Sequence, residues 1–512
     1  PAANTPGGGP PQSGIQTYTP HPATLPLPSA TDPAQQTTSN GYAGGSISPT
    51  TVTDQLTRVT TATYNGLEEP LTVTDPVTTT TTYTYDAAGN PLSVARPLTG
   101  TNQTQTSTFT YGDTTHPGDV TTRTDPNGKV WASAYATSGD LVSGTDPLTG
   151  NATFGYDTIG RRTSTTSPRG NVTGANPATY TTTYGYNAFG DITTITDPLQ
   201  HLTSFGYDQN RNRTTVTDPS LKTTTTTYNF DNEPTAVKRA DTTTLAYGYD
   251  GAGNQTTQTD AATHTTSYTF DPLNRLATTV DPLNRTTAYG YDAAGNLATL
   301  TDPAGRVTTI GHDVANQVST IGYSDGRTPA VAFTYTADGQ QATMVDGTGT
   351  TTNTYDSRNR LTSSTNGAGQ HVGYGYDLAS HLTSLTYPNN NTVTRGYDDA
   401  GRLATVTDWN GHTTTFGHDP DANPTTVASP NGVAAATVVD PAGATTSVTD
   451  TKAGTTLAGF AYTRDPNAQL TSATTTGTAI IDPTHSYTYT PLNQLAGFDT
   501  GTFGYDAADN LT

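Results

Sequence analysis

Residues Thr286–Val307 read TTAYGYDAAGNLATLTDPAGRV, two Thr-rich, aromatic-bearing arms separated by two turn signals. Most of the chain after Thr51 is a variation on this stretch. Tyr249, Phe270, Tyr291 and His312 stand 21 residues apart, each followed by Asp, and Tyr355, Tyr376, Tyr397 and His418 repeat the interval. A fixed period of this length is the signature of a repeat architecture, in which each unit buries its surface against its neighbours. Asp-Pro pairs hold a second phase: Asp197-Pro198 follows Tyr186, Asp218-Pro219 follows Tyr207, and Asp302-Pro303 follows Tyr291. Each unit therefore carries two turns.

The turn residues have distinct tasks. In Tyr291-Asp-Ala-Ala-Gly-Asn296 the Asp292 carboxylate accepts from backbone N–H groups further round the turn, and Gly295 takes a positive φ that closes a hairpin. In Asp302-Pro303-Ala304-Gly305, Pro presets φ at the second position while Asp and Gly suit the first and fourth, a type I pattern. The two arms left over have about six residues each, a usual strand length. Aromatic-Gly-aromatic triplets recur at Tyr184–Tyr186, Phe205–Tyr207, Tyr247–Tyr249, Tyr289–Tyr291 and Tyr374–Tyr376. With a side-chain period of two, both aromatics share one face, and successive repeats are expected to stack them into ladders. Tyr186, Tyr207, Tyr249, Phe270, Tyr291, Tyr355, Tyr376 and Tyr397 are the structural aromatics on this reading.

Composition agrees with strands. Glu occurs only at Glu68, Glu69 and Glu233 and Lys only at Lys129, Lys222, Lys238 and Lys452, while Thr, Tyr and Val dominate. The expectation is an all-β array of about twenty two-stranded units forming one long antiparallel strip over residues 51–512. Residues 1–50, rich in Pro, Gly, Ser and Gln, read as a linker or as a strap that caps the first repeat. The chain reads as a portion of a longer protein.

Chemistry is sparse. The 512 residues contain no Cys, which removes disulfides and thiolate metal sites. A net charge of −21 without a Lys/Arg cluster disfavours nucleic acid as the main partner, and no apolar run spans a membrane as a helix. Turn Asp residues could suggest calcium, but no Asp-x-Asp-x-Asp-Gly loop occurs and a turn Asp needs no metal. His312-Asp313 and His418-Asp419 resemble acid–base pairs, yet both His fall at the Tyr position, and adjacent strand residues point to opposite faces. Trp131 and Trp409 could stack on a glycan or a partner, although single aromatics in such a sheet usually pack. No catalytic, cofactor or metal site emerges.

The recurring Tyr-Asp-x-x-Gly-Asn followed by Asp-Pro-x-Gly-Arg resembles the YD repeat of the Rhs family, shared with teneurins and the BC component of insecticidal toxin complexes. The resemblance implies a strip that spirals into a hollow shell or tube, secreted or at the cell surface. It implies a non-catalytic structural role, enclosing or carrying another polypeptide such as a toxin. The rival expectation is an extracellular fibre, sheath or adhesin that uses the same scaffold for self-association or surface contact. Asp302-Pro303-Ala304-Gly305 is followed by Arg306, so the self-cleavage segment of Rhs cores, of Asp-Pro-x-Gly-Leu type, has no counterpart there.

Overall fold

The structure, a computed structural model, describes residues 17–19, 27–44, 46–98, 100–477 and 484–512. Among these residues there are 45 strands and three short 3-10 turns, Pro168–Asn171, Pro177–Tyr180 and Pro388–Asn390. Each strand pairs antiparallel with the next in sequence, so the sheet is one continuous meander, and its first and last strands do not pair with each other. The organising repeat folds as Thr286–Tyr291 and Leu297–Thr301, a six-residue and a five-residue strand. Ser29–Thr31 and Thr37–Gly41, inside the segment read as linker or strap, also join the strip. Their connection contains Asp32-Pro33, the same turn signal as in the array. Residues 1–16 and 20–26 of that segment lie outside the described residues.

The two turns, different in sequence, close with one geometry. Asp292 N–H donates to Asn296 O at 2.9 Å, and Gly295 N–H to Asp292 O at 3.1 Å. On the other side Asp302 N–H donates to Arg306 O at 3.0 Å, and Gly305 N–H to Asp302 O at 2.9 Å. Gly295 and Gly305 have φ of 93° and 77°. Proline is optional because this backbone already supplies φ near −60° at the second position. The positive-φ place is often taken by Asn, as at Asn274, Asn284 and Asn359, and occasionally by a poorly suited side chain such as Leu221, φ 64°. Leu221 is 82 % exposed, so Leu221→Gly removes strain and little packing. It is expected to stabilise the protein by about 1 kcal/mol, read as a higher denaturant midpoint; a lower midpoint would refute the strain argument.

Register separates the two faces. Tyr289 lies opposite Leu300 and Tyr291 opposite Leu297, giving an apolar face. Gly290 lies opposite Thr299 and Ala288 opposite Thr301, giving a face of small and hydroxyl side chains. A register shift at Gly290/Tyr291 recurs in other repeats and keeps both strand ends of the hairpin on the apolar side. The strand Gly has a steric cause: a Cβ at Gly290 would lie 2.3 Å from Thr299 Oγ1. In the repeat with Thr269 at that place, its hydroxyl instead meets that of Thr278 at 2.6 Å.

Among the described residues, no second layer covers the sheet. Leu98 is the one large hydrophobic side chain among them that is buried, and it is still 9 % exposed. The accessible surface is 28284 Å², against roughly 18,000 Å² for a compact monomer of this mass. Stability is therefore distributed over many neighbour contacts.

Candidate functional site

The residues singled out from sequence form a repeated structural joint. Tyr207, Tyr249, Tyr291, Tyr376 and Tyr397 each donate their hydroxyl to the carbonyl 15 residues earlier, the first residue of a strand in the preceding unit, at 2.8–3.0 Å. Tyr186 reaches Arg162 O across the expanded turn at 2.6 Å, and Tyr355 reaches Gln341 O at 2.9 Å. Phe270 has no hydroxyl to offer. Burial pushes the phenols of Tyr249, Tyr291 and Tyr376 up from their ordinary value.

The ladder differs from the expected aromatic-on-aromatic stack. The planar group that covers the Tyr ring belongs to the fifth turn residue of the preceding repeat: Arg275 over Tyr291 at 4.4 Å, Arg360 over Tyr376 at 4.6 Å, and His381 stacked on Tyr397 at 4.7 Å. Two strands separate successive repeats, close to 10 Å, so tyrosines need an intervening plane and the guanidinium supplies it. The turn carboxylates hold those same side chains. Asp302 accepts from Arg306 N–H at 3.0 Å and from Arg306 Nε at 2.6 Å, and Asp292 accepts from the Asn296 N–H and amide.

His312 and His418 occupy the Tyr position of their strands. His312 Nδ1 lies 3.6 Å from Asp292, too far for a hydrogen bond, and makes no other. It does not engage the adjacent Asp313. Trp131 lies under Arg123 at 5.0 Å, and Trp409 meets Tyr387 edge-on at 6.1 Å. Among the described residues, no three His, Asp or Glu side chains converge in metal-ligating geometry.

A feature not foreseen from sequence joins distant parts of the strip. Asn127 Nδ2 donates to Asp377 at 2.9 Å, Arg169 Nε to Asp421 at 2.7 Å, Lys222 Nζ to Asn493 at 2.8 Å, and Arg239 Nη1 to Asp509 at 2.5 Å. Arg58 approaches Gln317, Arg96 donates to Ser357 O, and Asn467 bridges to Asp218. These partners are 249–271 residues apart in sequence. The near-constant offset means that the strip coils upon itself once in roughly 260 residues, about twelve repeats. The two coils meet along a seam of polar turns. Asp338, whose carboxylate oxygens are buried without a hydrogen-bond partner, lines the same cleft as Arg58 and Arg96.

Arg169 is the most connected seam residue. It sits in the expanded turn that begins with Pro168–Asn171, 12 % exposed, and its guanidinium also donates to the carbonyls of Asp440 and Pro441. Its N–H and the Ser167 hydroxyl both reach Asp421. Residues 169–180 lengthen this turn beyond that of the regular unit, the kind of expansion that loops tolerate. A cue was available: Lys is rare, and two of its four occurrences, Lys129 and Lys222, fall in Asp-Pro turns, where they contact Asp399 and Asn493 across the seam.

Known proteins share the repeat and the fold. The RHS repeat family model matches residues 64–101, 135–172, 168–201, 186–223, 249–286 and 270–307, and the teneurin YD-shell model matches residues 297–423. The structure of TcdB2-TccC3 without its hypervariable C-terminal region superposes with a TM-score of 0.73 at 12% identity, covering 95% of this chain and 36% of that one. The Photorhabdus luminescens Tc holotoxin pore gives a TM-score of 0.75 at 13% identity, covering 98% and 35%. TcdB2-TccC3 itself gives 0.60 at 14% identity, covering 95% and 33%. The chain spans about a third of the length of these proteins. A comparison with curated protein sequences returns no match.

Proposed function

We propose that this chain, matched over part of its length by the RHS repeat and teneurin YD-shell models, is a non-catalytic wall segment of a shell that encloses another polypeptide. The observation that carries this reading is the continuous apolar face. Tyr289, Tyr291, Leu297 and Leu300 and their counterparts line one side of a sheet more than forty strands long, half-buried by their neighbours in the strip, with Arg275 over Tyr291, and among the described residues no second layer covers them. An apolar surface of that extent is held out of bulk water only if something occupies the space it bounds. Matching structures of TcdB2-TccC3 and of TcdB2-TccC3-Cdc42 support a shell built by this fold and partnered with a second polypeptide. The reading carries with it a location outside the cell or at its surface.

Limited proteolysis tests it. A polypeptide co-expressed with the native protein should survive a protease dose that degrades the same polypeptide when free, and electron micrographs should show hollow particles with internal density. Equal rates of digestion, or particles without an interior, would sink the proposal.

A further inference from the structure

The seam joins two particular edges. Asp-Pro-side turns of the first coil, from Asp54–Arg58 to Arg239–Thr243, meet Tyr-Asp-side turns of the second, from Gln317 to Asp509. The strip has two further edges of the same kinds, and among the described residues neither makes a seam-type hydrogen bond or ion pair, although His264, in the first Asp-Pro-side turn after Arg239, still acts electrostatically on Asp506. One is the row of Tyr-Asp-side turns of the first coil. The other is the row of Asp-Pro-side turns after Arg239.

The undocked edges carry docking chemistry without its burial. Arg58, Arg285 and Arg306 hold the same turn position, and each binds its own turn Asp through Nε at 2.5–2.6 Å. Arg58, at the seam, is 18 % exposed; Arg285 and Arg306, beyond it, are 61 % and 71 % exposed. Apolar side chains gather on both rims as well. Phe189 and Phe230 protrude from the first-coil Tyr-Asp turns, and Leu283 and Trp409 from the later Asp-Pro turns, all more than half exposed.

We propose that these two rims are a matched pair, and that the Asp-Pro rim of one molecule docks on the Tyr-Asp rim of a second copy, continuing the spiral from chain to chain. The seam supplies the argument, because the same two kinds of edge already join within the chain and the rims extend them without a change of chemistry. Since the joined surfaces differ, the contact is head-to-tail and propagates as an open helical stack. It rests on the seam geometry and is independent of whether a polypeptide is enclosed.

Sedimentation and electron microscopy of the full chain over a concentration series decide the matter. Wild-type particles should lengthen as concentration rises. Leu283→Glu with Trp409→Glu blocks one rim, and Phe189→Glu with Phe230→Glu blocks the other; these exposed sites leave the circular dichroism spectrum unchanged. Each double variant alone should stay single, and an equimolar mixture should form pairs that grow no further. A wild type that stays single at every concentration overturns the proposal and leaves the shell reading standing, since that reading is tested by protease protection. Lengthening of either double variant alone, or a mixture that forms no pairs, overturns it equally.

Discussion

Arg169→Ala is expected to open the seam and to cost about 3–5 kcal/mol, the loss seen when one partner of a buried ion pair is removed. The guanidinium binds Asp421 at 2.7 Å, lies 3.4 Å from Asp419, and satisfies two carbonyls of the facing turn. Both carboxylates are 12 % exposed, so removing the cation strands two charges in a poorly hydrated cleft. Neighbouring seam contacts cannot absorb that loss. Lys129–Asp399 and Arg239–Asp509 are more exposed on their acid side, and pairs of that kind contribute at most about 1 kcal/mol each. Arg169→Lys should fall between, since Lys keeps the charge and loses the fork that reaches carboxylate and carbonyls together. Small-angle scattering should show a larger radius for Arg169→Ala, and protease should cut the exposed turns while strand content stays near wild type. The absence of Cys allows a control: Ser220→Cys with Asn467→Cys replaces one existing seam contact by a covalent cross-link. If Arg169→Ala stays compact without that cross-link, the seam does not depend on the buried pair.

What was legible in the sequence was what is local. Strand, turn and period all follow from a window of 22 residues such as Thr286–Val307, because each unit repeats its own hydrogen bonds. Gly295 does take the positive φ expected of it, and Gly305, read only as the fourth residue of a type I turn, takes one too. The common backbone of the two turns was harder to see, because Pro303 suggests a different turn while only restricting a conformation that Ala293 adopts unaided. The stacking partner of the tyrosines was misjudged by distance: neighbouring Tyr positions lie two strands apart, and Arg275 or His381 fills the gap. The seam was out of reach. Its offset depends on how much the strip curves per strand, a sum of small twists over some two dozen strands that no local pattern expresses. Arg169 carries no local sign of its role, because its seam partners are 250 residues or more away.

Acidification should melt the array cooperatively between about pH 4 and pH 2. The cause is the turn carboxylate. In Asp157, Asp281 and Asp302 the backbone N–H of the fifth turn residue, reinforced by its guanidinium, holds the carboxyl below its ordinary value. In Asp86, Asp208 and Asp250 the side-chain amide of Asn does the same. Asp325, capped by the Thr328 hydroxyl, is lowered from 3.8 to about 2. A carboxylate more acidic in the fold than in the open chain stabilises the fold above the open-chain value, and that contribution disappears as pH falls through the folded value. One such turn is a minor term, but the repeat multiplies it along the strip. A competing effect has the opposite sign, since protonation relieves the self-repulsion of a chain with net charge −21. That repulsion acts between charges spread over a long sheet and is screened beyond about 8 Å at physiological salt. The turn bonds act at contact distance and are screened much less, so the local effect wins below pH 4. Thermal melts followed by far-ultraviolet circular dichroism should thus show a steep fall of the midpoint in that window. Asp157→Asn, Asp281→Asn and Asp302→Asn combined should make the fall shallower, because Asn187 and Asn229 already show that an amide oxygen accepts the same backbone N–H at 2.9 Å. An acid limb unchanged in that triple variant would place the pH sensitivity elsewhere than in the turns.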